Sequence, residues 1–360
     1  VTREGIMPDF GTFAAWSSRR QIYLPIPTAD LVGFPHKIPI IADAFIGGQA
    51  KADGTDIRFV ASDGVTELAY ERDSWAVAGG LADAIFWVKS AVVVAGTYIW
   101  LYYGNAAAAD GQNATAVWDA NFKAVYHMKD ATTSTTLDST ANNNDGAKKA
   151  ANEPIEAAGK IGKGQDFDGT DDRIKVANHA TLQIAGQITL DFWARIDSAP
   201  ASVKIVVGKS RGLGLVNNYG AYLHDNVLYW DLWTTVRVSN SVSIAGLLNE
   251  WHRFSCVYDG THQKIYIDGA EAKSNNRGSL TLNAAFSGDL YIGNYEDWAA
   301  QPFDGLLDEI RVATTGRSAE WIAYEYANMN PADGGLTWGS EEHTATPAGG
   351  GKPMNLKLKL

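Results

Sequence analysis

Carboxylates come first, because two of them facing each other across a glycosidic bond can serve as general acid and as nucleophile or base. Glu67, Glu71 and Asp73 share parity along one strand-like run, and Asp308 and Glu309 are sequence neighbours in another. Neighbours in a regular strand point to opposite faces, so the spacing predicts that Asp308 and Glu309 cannot form a catalytic pair. Glu67, Glu71 and Asp73 read as solvated charges on an exposed strand. Serine chemistry has no Gly-x-Ser-x-Gly elbow to stand on, and the seven histidines lack the HExxH or paired spacing that zinc needs. Gly208-Lys209-Ser210 fails as a phosphate loop because Val203 stands where that motif needs glycine. No catalytic residue is assigned, and the chain reads as a non-enzyme.

Binding chemistry is better represented. Aromatic and polar residues coincide in loop-like stretches: Asn217-Asn218-Tyr219, residues 229–233, and Tyr295-Glu296-Asp297-Trp298. A sugar ring lays its apolar CH face on Trp or Tyr while nearby amides and carboxylates take its hydroxyls. The candidate ligand-binding residues are Trp298, Tyr295, Asp297, Trp233, Tyr219 and Asn218, with Trp298 foremost as an exposed stacking ring. With 12 Trp and 15 Tyr in the chain, each of these competes with a packing role. The odd spacing of Trp230 and Trp233 already places them on opposite faces.

The elements that must position these groups are short strands with turn punctuation. Between residues 251 and 312 run WHRFSCVYDG, KIYIDGAEA, LYIGNYE and FDGLLDEIRV, alternating apolar stretches separated by Asp-Gly turns. In order and in residues (Trp251-His252, Tyr266-Ile267-Asp268-Gly269, Ile292-Gly293, Phe303-Asp304-Gly305, then Asp308-Glu309-Ile310-Arg311-Val312) this resembles the concanavalin A-like lectin/glucanase superfamily, in its laminin-G-like jelly-roll branch. Phe34-Pro35, Asp56-Ile57-Arg58-Phe59, Glu67 to Glu71, Trp87-Val88-Lys89 and Tyr102-Tyr103-Gly104-Asn105 are similar to a bacterial and archaeal family of unknown function found just before laminin-G-like domains. The resemblance implies an all-β chain of two tandem β-sandwich, jelly-roll-like domains with a short C-terminal helix and an extended tail. Boundaries fall as an N-terminal arm at 1–16, a first domain at 17–120, a jelly roll at 121–330 and a linker with a strand-like tail at 331–360.

The resemblance also implies one structural Ca²⁺, held by Asp308 with backbone carbonyls near Gly169, since that ion takes hard oxygen ligands. The other reading of Asp308 is a turn cap, which is the favoured reading for Asp138 and Asp145. In the tail, Met354, Leu356, Leu358 and Leu360 alternate with polar residues after three glycines, a pattern suited to strand addition onto another subunit.

Composition narrows the partners. A net charge of −11 without a basic cluster excludes the phosphate-neutralising surface of a nucleic-acid binder. No apolar run is long enough to insert in a membrane, and the lone Cys256 reads as a small buried hydrophobe. The start, VTREGIMPDFGTF, is no secretory signal, so either one has been removed or Val1 is a non-standard start. The leading expectation is a non-catalytic recognition or adhesion protein, extracellular or on a cell or virion surface, that binds a glycan or a partner surface. The alternative is a structural virion component, a decoration or fibre protein assembled as an oligomer through its terminal arms; a glycan-active hydrolase ranks last.

Overall fold

The computed structural model describes residues 9–149, 153–198, 201–209, 217–295 and 301–344. Asp297, Trp298, Met354, Leu356, Leu358 and Leu360 lie outside the described residues.

The first half contributes β1 (Ser18–Tyr23), β2 (Leu31–Asp43), α1 (Ala44–Gln49), β3 (Arg58–Ala61), β4 (Tyr70–Ala78), β5 (Leu81–Val93), β6 (Tyr98–Tyr103) and α2 (Ala114–Val117). The second contributes β7 (Phe122–Tyr126), β8 (Gly146–Lys148), β9 (Ile155–Ala158), β10 (Lys163–Asp168), β11 (Ile174–Val176), β12 (Ile188–Ile196), β13 (Lys204–Lys209) and β14 (Tyr219–His224). It continues with β15 (Val227–Trp233), β16 (Arg237–Ser243), β17 (Trp251–Tyr258), β18 (His262–Ile267), β19 (Ala270–Asn276), β20 (Leu290–Ile292), β21 (Asp304–Ala313), α3 (Ala319–Met329) and β22 (Thr337–His343). The hairpins follow the turn chemistry: Asp225-Asn226 and Asp268-Gly269 both carry positive φ at two successive residues, the geometry of a tight two-residue turn.

Four sheets make two sandwiches, as expected for an all-β chain. In the first, β22-β1-β6-β3 faces β2-β5-β4. In the second, β16-β15-β14-β13-β20-β11-β8 faces β19-β18-β17-β12-β21-β10-β9, with β7 also paired to β21. Ile22, Leu101, Ile38 and Phe86 fill the first core; Phe192, Trp230, Cys256 and Ile310 fill the second.

Two features tie the sandwiches together. Residues 337–343, in the stretch the sequence reads as a linker and tail, form β22 and pair antiparallel with β1, so the end of the described chain completes the first domain's sheet. Ser318 caps α3 by accepting the N–H of Trp321, and the helix then lies along the edge of β2. There the Asn328 side chain accepts from the Lys37 N–H (2.8 Å) and donates to the Lys37 carbonyl (3.1 Å), covering an otherwise open edge. Trp321, Tyr324 and Trp193 share one apolar cluster with Phe34 and Trp87, so the outward face of the eight-stranded sheet packs against the first domain.

Candidate functional site

That packing leaves the seven-stranded sheet as the face to examine for ligand binding. Along β14 and β15, Tyr219, Ala221, Leu223, Leu228, Trp230 and Leu232 point into the core, which turns Tyr222, Tyr229, Asp231 and Trp233 outward. Tyr222 and Tyr229 lie parallel, 5.0 Å apart with 2° between their planes. Beside them β16 sends Val238 and Val242 toward the core and Ser239, Ser241 and Ser243 outward, with Tyr229 registered opposite Ser241. Arg237 lies 5.4 Å from the Tyr222 ring and pairs with Asp231 at 2.5 Å. Burial pushes the Asp231 carboxyl up to about 7, against the Ser239 hydroxyl; the short contact to Arg237 favours its charged form. Tyr229 is half-buried, and the buried Tyr222 hydroxyl finds no protein partner among the described residues. Further along the face, Tyr291 and Tyr295 pack edge to face at 5.6 Å. Gly208 and Gly220 register opposite one another, and the Tyr295 hydroxyl lies against Gly208.

The sequence-derived ligand residues divide. Trp233 and Tyr295 lie on this outward face but are 6% exposed each, so neither is the open stacking ring expected. Tyr219 points inward and is wholly buried, which its parity in β14 requires. Asn218 is also buried, its amide accepting from the Ile184 N–H at 3.0 Å and donating to the Ile184 carbonyl at 2.9 Å, so it ties down a loop. The Tyr222 and Tyr229 stack and the serine row escaped the sequence reading. Only the register of three strands joins them.

The structure does not bring Asp308 and Gly169 together. Gln165 registers opposite Leu307 and Asp168 opposite Asp304, which puts Asp308 across from Gly164, about 17 Å along the strand from Gly169. Asp308 is fully buried and accepts the Ile161 N–H at 2.8 Å. Burial, then the neighbouring Glu309 and Asp73, push its carboxyl well above the usual range. Asp168, Asp171 and Asp172 do converge next to Gly169, but Asp172 accepts the Asp168 N–H and Asp168 the Thr170 N–H, both at 2.8 Å, as turn caps. Asp138 likewise caps its own loop, accepting from Val125, Thr140 and Asn144.

The carboxylate geometry differs from expectation too. Glu309 has φ +48° at a bulge where two residues of β21 oppose Phe192, so Asp308 and Glu309 project from the same face. Glu71 and Asp73 are not solvated: domain docking buries both side chains. The result is a buried ladder of alternating charge across the junction. Glu71 lies 3.3 Å from His127, His127 2.6 Å from Glu309, Glu309 2.7 Å from Arg311, Arg311 2.5 Å from Glu325, and Glu325 2.7 Å from Arg253. The His127 ring also stacks on Trp87 at 5.4 Å, and the Arg311 guanidinium lies 4.5 Å from the Trp87 ring. Burial opposes charge on Glu71, but His127, Ser139 and Trp118 outweigh it and hold the carboxyl down at about 2. Burial likewise opposes the His127 imidazolium, yet Glu309 and Glu71 hold its pKa well above the usual value. Two carboxylates on one face thus exist, but Glu309 is held in ion pairs, Asp308 accepts a backbone N–H, and both are buried beneath the first domain.

Residues 168–323 match the model of the concanavalin A-like lectin/glucanases superfamily. Residues 53–144 match a domain of unknown function. The matched stretch thus contributes to both the sealed face and the open one. No curated protein matches the chain. Among solved structures, the binding domain of Paraclostridial Mosquitocidal Protein 1 is similar at 12% identity over 57% of this chain and 52% of that one, TM-score 0.46. The Botulinum neurotoxin serotype D binding domain gives 14%, 59%, 52% and 0.46. Domain 4 of AbnA, an extracellular arabinanase of Geobacillus stearothermophilus solved with arabinotriose, gives 18%, 57%, 98% and 0.45. The chain spans about half the length of the two toxin structures. Likeness at these values carries no argument about activity.

Proposed function

We propose that the chain is a non-catalytic recognition module whose concanavalin A-like domain holds a glycan on the outward face of its seven-stranded sheet. The observation that carries this reading is the half-buried Tyr229 ring, backed by the parallel and buried Tyr222 and set beside a row of serine hydroxyls on the sheet face that the first domain leaves open. An aromatic plane takes the CH face of a pyranose, and hydroxyls at its side exchange hydrogen bonds with the sugar's own. Against turnover stands the burial of the paired carboxylates, to which no polymer has access. Glycan-array binding followed by titration of the strongest hit tests the reading. Tyr229→Ala should weaken that hit about tenfold or more with the thermal midpoint unchanged. An array without a hit, or a hit indifferent to Tyr229→Ala, would sink it, and hydrolysis of the hit would remove the non-catalytic part.

One observation favours assembly as a second reading. The Thr344 N–H donates to the Ser17 carbonyl at 2.9 Å, so the end of the described chain leaves from β22, the outermost strand of its sheet. Such an edge can accept a strand from another copy. Light scattering on the full chain and on one ending at Thr344 checks this: a large particle that falls to monomer supports assembly, and equal masses end it.

A further inference from the structure

A cleft of 410 Å³ at the junction of the two domains takes no part in the reading above. Its floor is an apolar stretch of the first domain's sheet, Pro39, Ile41 and Ile85, with Asp83 at one rim and the ammonium groups of Lys37 and Lys160 at the other. Lys37 donates to the carbonyls of Met329 (2.7 Å) and Pro331 (2.6 Å), and Lys160 to the side-chain oxygen of Asn330 (2.7 Å). All three acceptors are neutral, and among the described residues neither ammonium has a carboxylate in ion-pair contact. The C-terminus of α3, whose dipole is negative there, offsets part of the charge. It does not use every N–H that an ammonium carries.

Two cations thus share one poorly solvated place. Burial, then the nearby Lys160, push Lys37 down to about 8, while Glu309, Asp333 and Asp308 act on it only from a distance. Asp83 is occupied in accepting the Ala42 N–H at 2.9 Å. Lys160 also lies 4.9 Å from the Trp193 ring, so the cleft combines an apolar wall with two ammonium groups that no carboxylate among the described residues pairs directly, at a domain junction where ligand sites concentrate.

We propose that this cleft binds a carboxylate-bearing sugar of the uronic acid class, its carboxylate between Lys37 and Lys160 and its ring against Pro39 and Ile85. The site is separate from the tyrosine face and does not depend on it.

Calorimetric titration of the full chain with D-glucuronate, and with D-glucose as the uncharged match, tests the proposal. Glucuronate should bind saturably and glucose should not. Lys160→Gln should weaken glucuronate at least about tenfold, and Tyr229→Ala should leave it unchanged. Ile85→Glu, which sets a carboxylate on the cleft floor, should abolish binding and serves if Lys160→Gln fails to fold. Absence of glucuronate binding, equal binding of glucose, or glucuronate affinity indifferent to both cleft variants overturns the assignment. Loss on Tyr229→Ala with retention in Lys160→Gln also overturns it, by placing the anion on the tyrosine face.

Discussion

An imidazole 2.6 Å from Glu309 and 3.3 Å from Glu71 keeps its proton far above the pH at which a free histidine loses it. Removing one member of such a buried pair strands the opposite charge, so His127→Gln should cost about 3–5 kcal/mol of unfolding free energy at pH 6, read from urea denaturation. The sign of its pH dependence follows from a folded pKa raised above the unfolded value. The contribution is complete below about pH 6.5 and fades as pH climbs through the folded pKa. The gap between wild type and His127→Gln should therefore narrow progressively above pH 6.5, and a gap constant to pH 10 would contradict a charged His127. Asp308 behaves in the opposite sense to a helpful carboxylate. Its raised pKa stabilises the fold only at low pH, and the cost grows as pH rises from about 4. Asp308→Asn keeps an acceptor for Ile161 and should stabilise the chain at pH 8 by at least about 1 kcal/mol, the worth of one pKa unit. Destabilisation that appears only with Ca²⁺ present would instead restore Asp308 as a ligand.

At the scale of elements, one bulge and one returning strand changed what the sequence pattern implied. Period-two alternation placed Trp230 and Trp233 on opposite faces, and the structure puts Trp230 in the core. It failed at Glu309, because a bulge inserts a residue and resets parity, and nothing in DGLLDEIRV marks the place. The return of β22 was illegible for a different reason: TWGSEEH carries little apolar alternation, and its partner β1 lies more than three hundred residues earlier. Arg19 pairs with Glu342 at 2.8 Å and the Tyr103 hydroxyl donates to Glu341 at 2.5 Å, so polar contacts across the sheet hold it. Ending the chain at Leu336 should lower the thermal midpoint by several degrees, whereas ending it at Thr344 should leave the midpoint in place. Equal midpoints for the two truncations would mean that β22 adds nothing to the first sandwich.

The whole molecule is predicted to unfold as one unit. Helix α3 wedges between the sandwiches, its Tyr326 stacked on Trp193 at 5.8 Å and its Glu325 bound to both Arg311 and Arg253. A buried ladder of this kind adds little net stability over apolar packing but punishes every other docking angle, since a shifted domain would strand its charges. Calorimetry should give a single transition with equal calorimetric and van't Hoff enthalpies. Two resolved transitions would show that the ladder and α3 do not couple the domains.

Strand periodicity and Asp-Gly turns determined the strand-rich class, because these depend on local backbone preference, and the order of those motifs carried the resemblance that implied the two sandwiches and the closing helix. Tertiary structure alone decided which sheet face stays open, which carboxylates are sealed and where the two lysines meet. Each of those facts requires residues from distant strands to be brought to one place, and no local pattern encodes the distance between them.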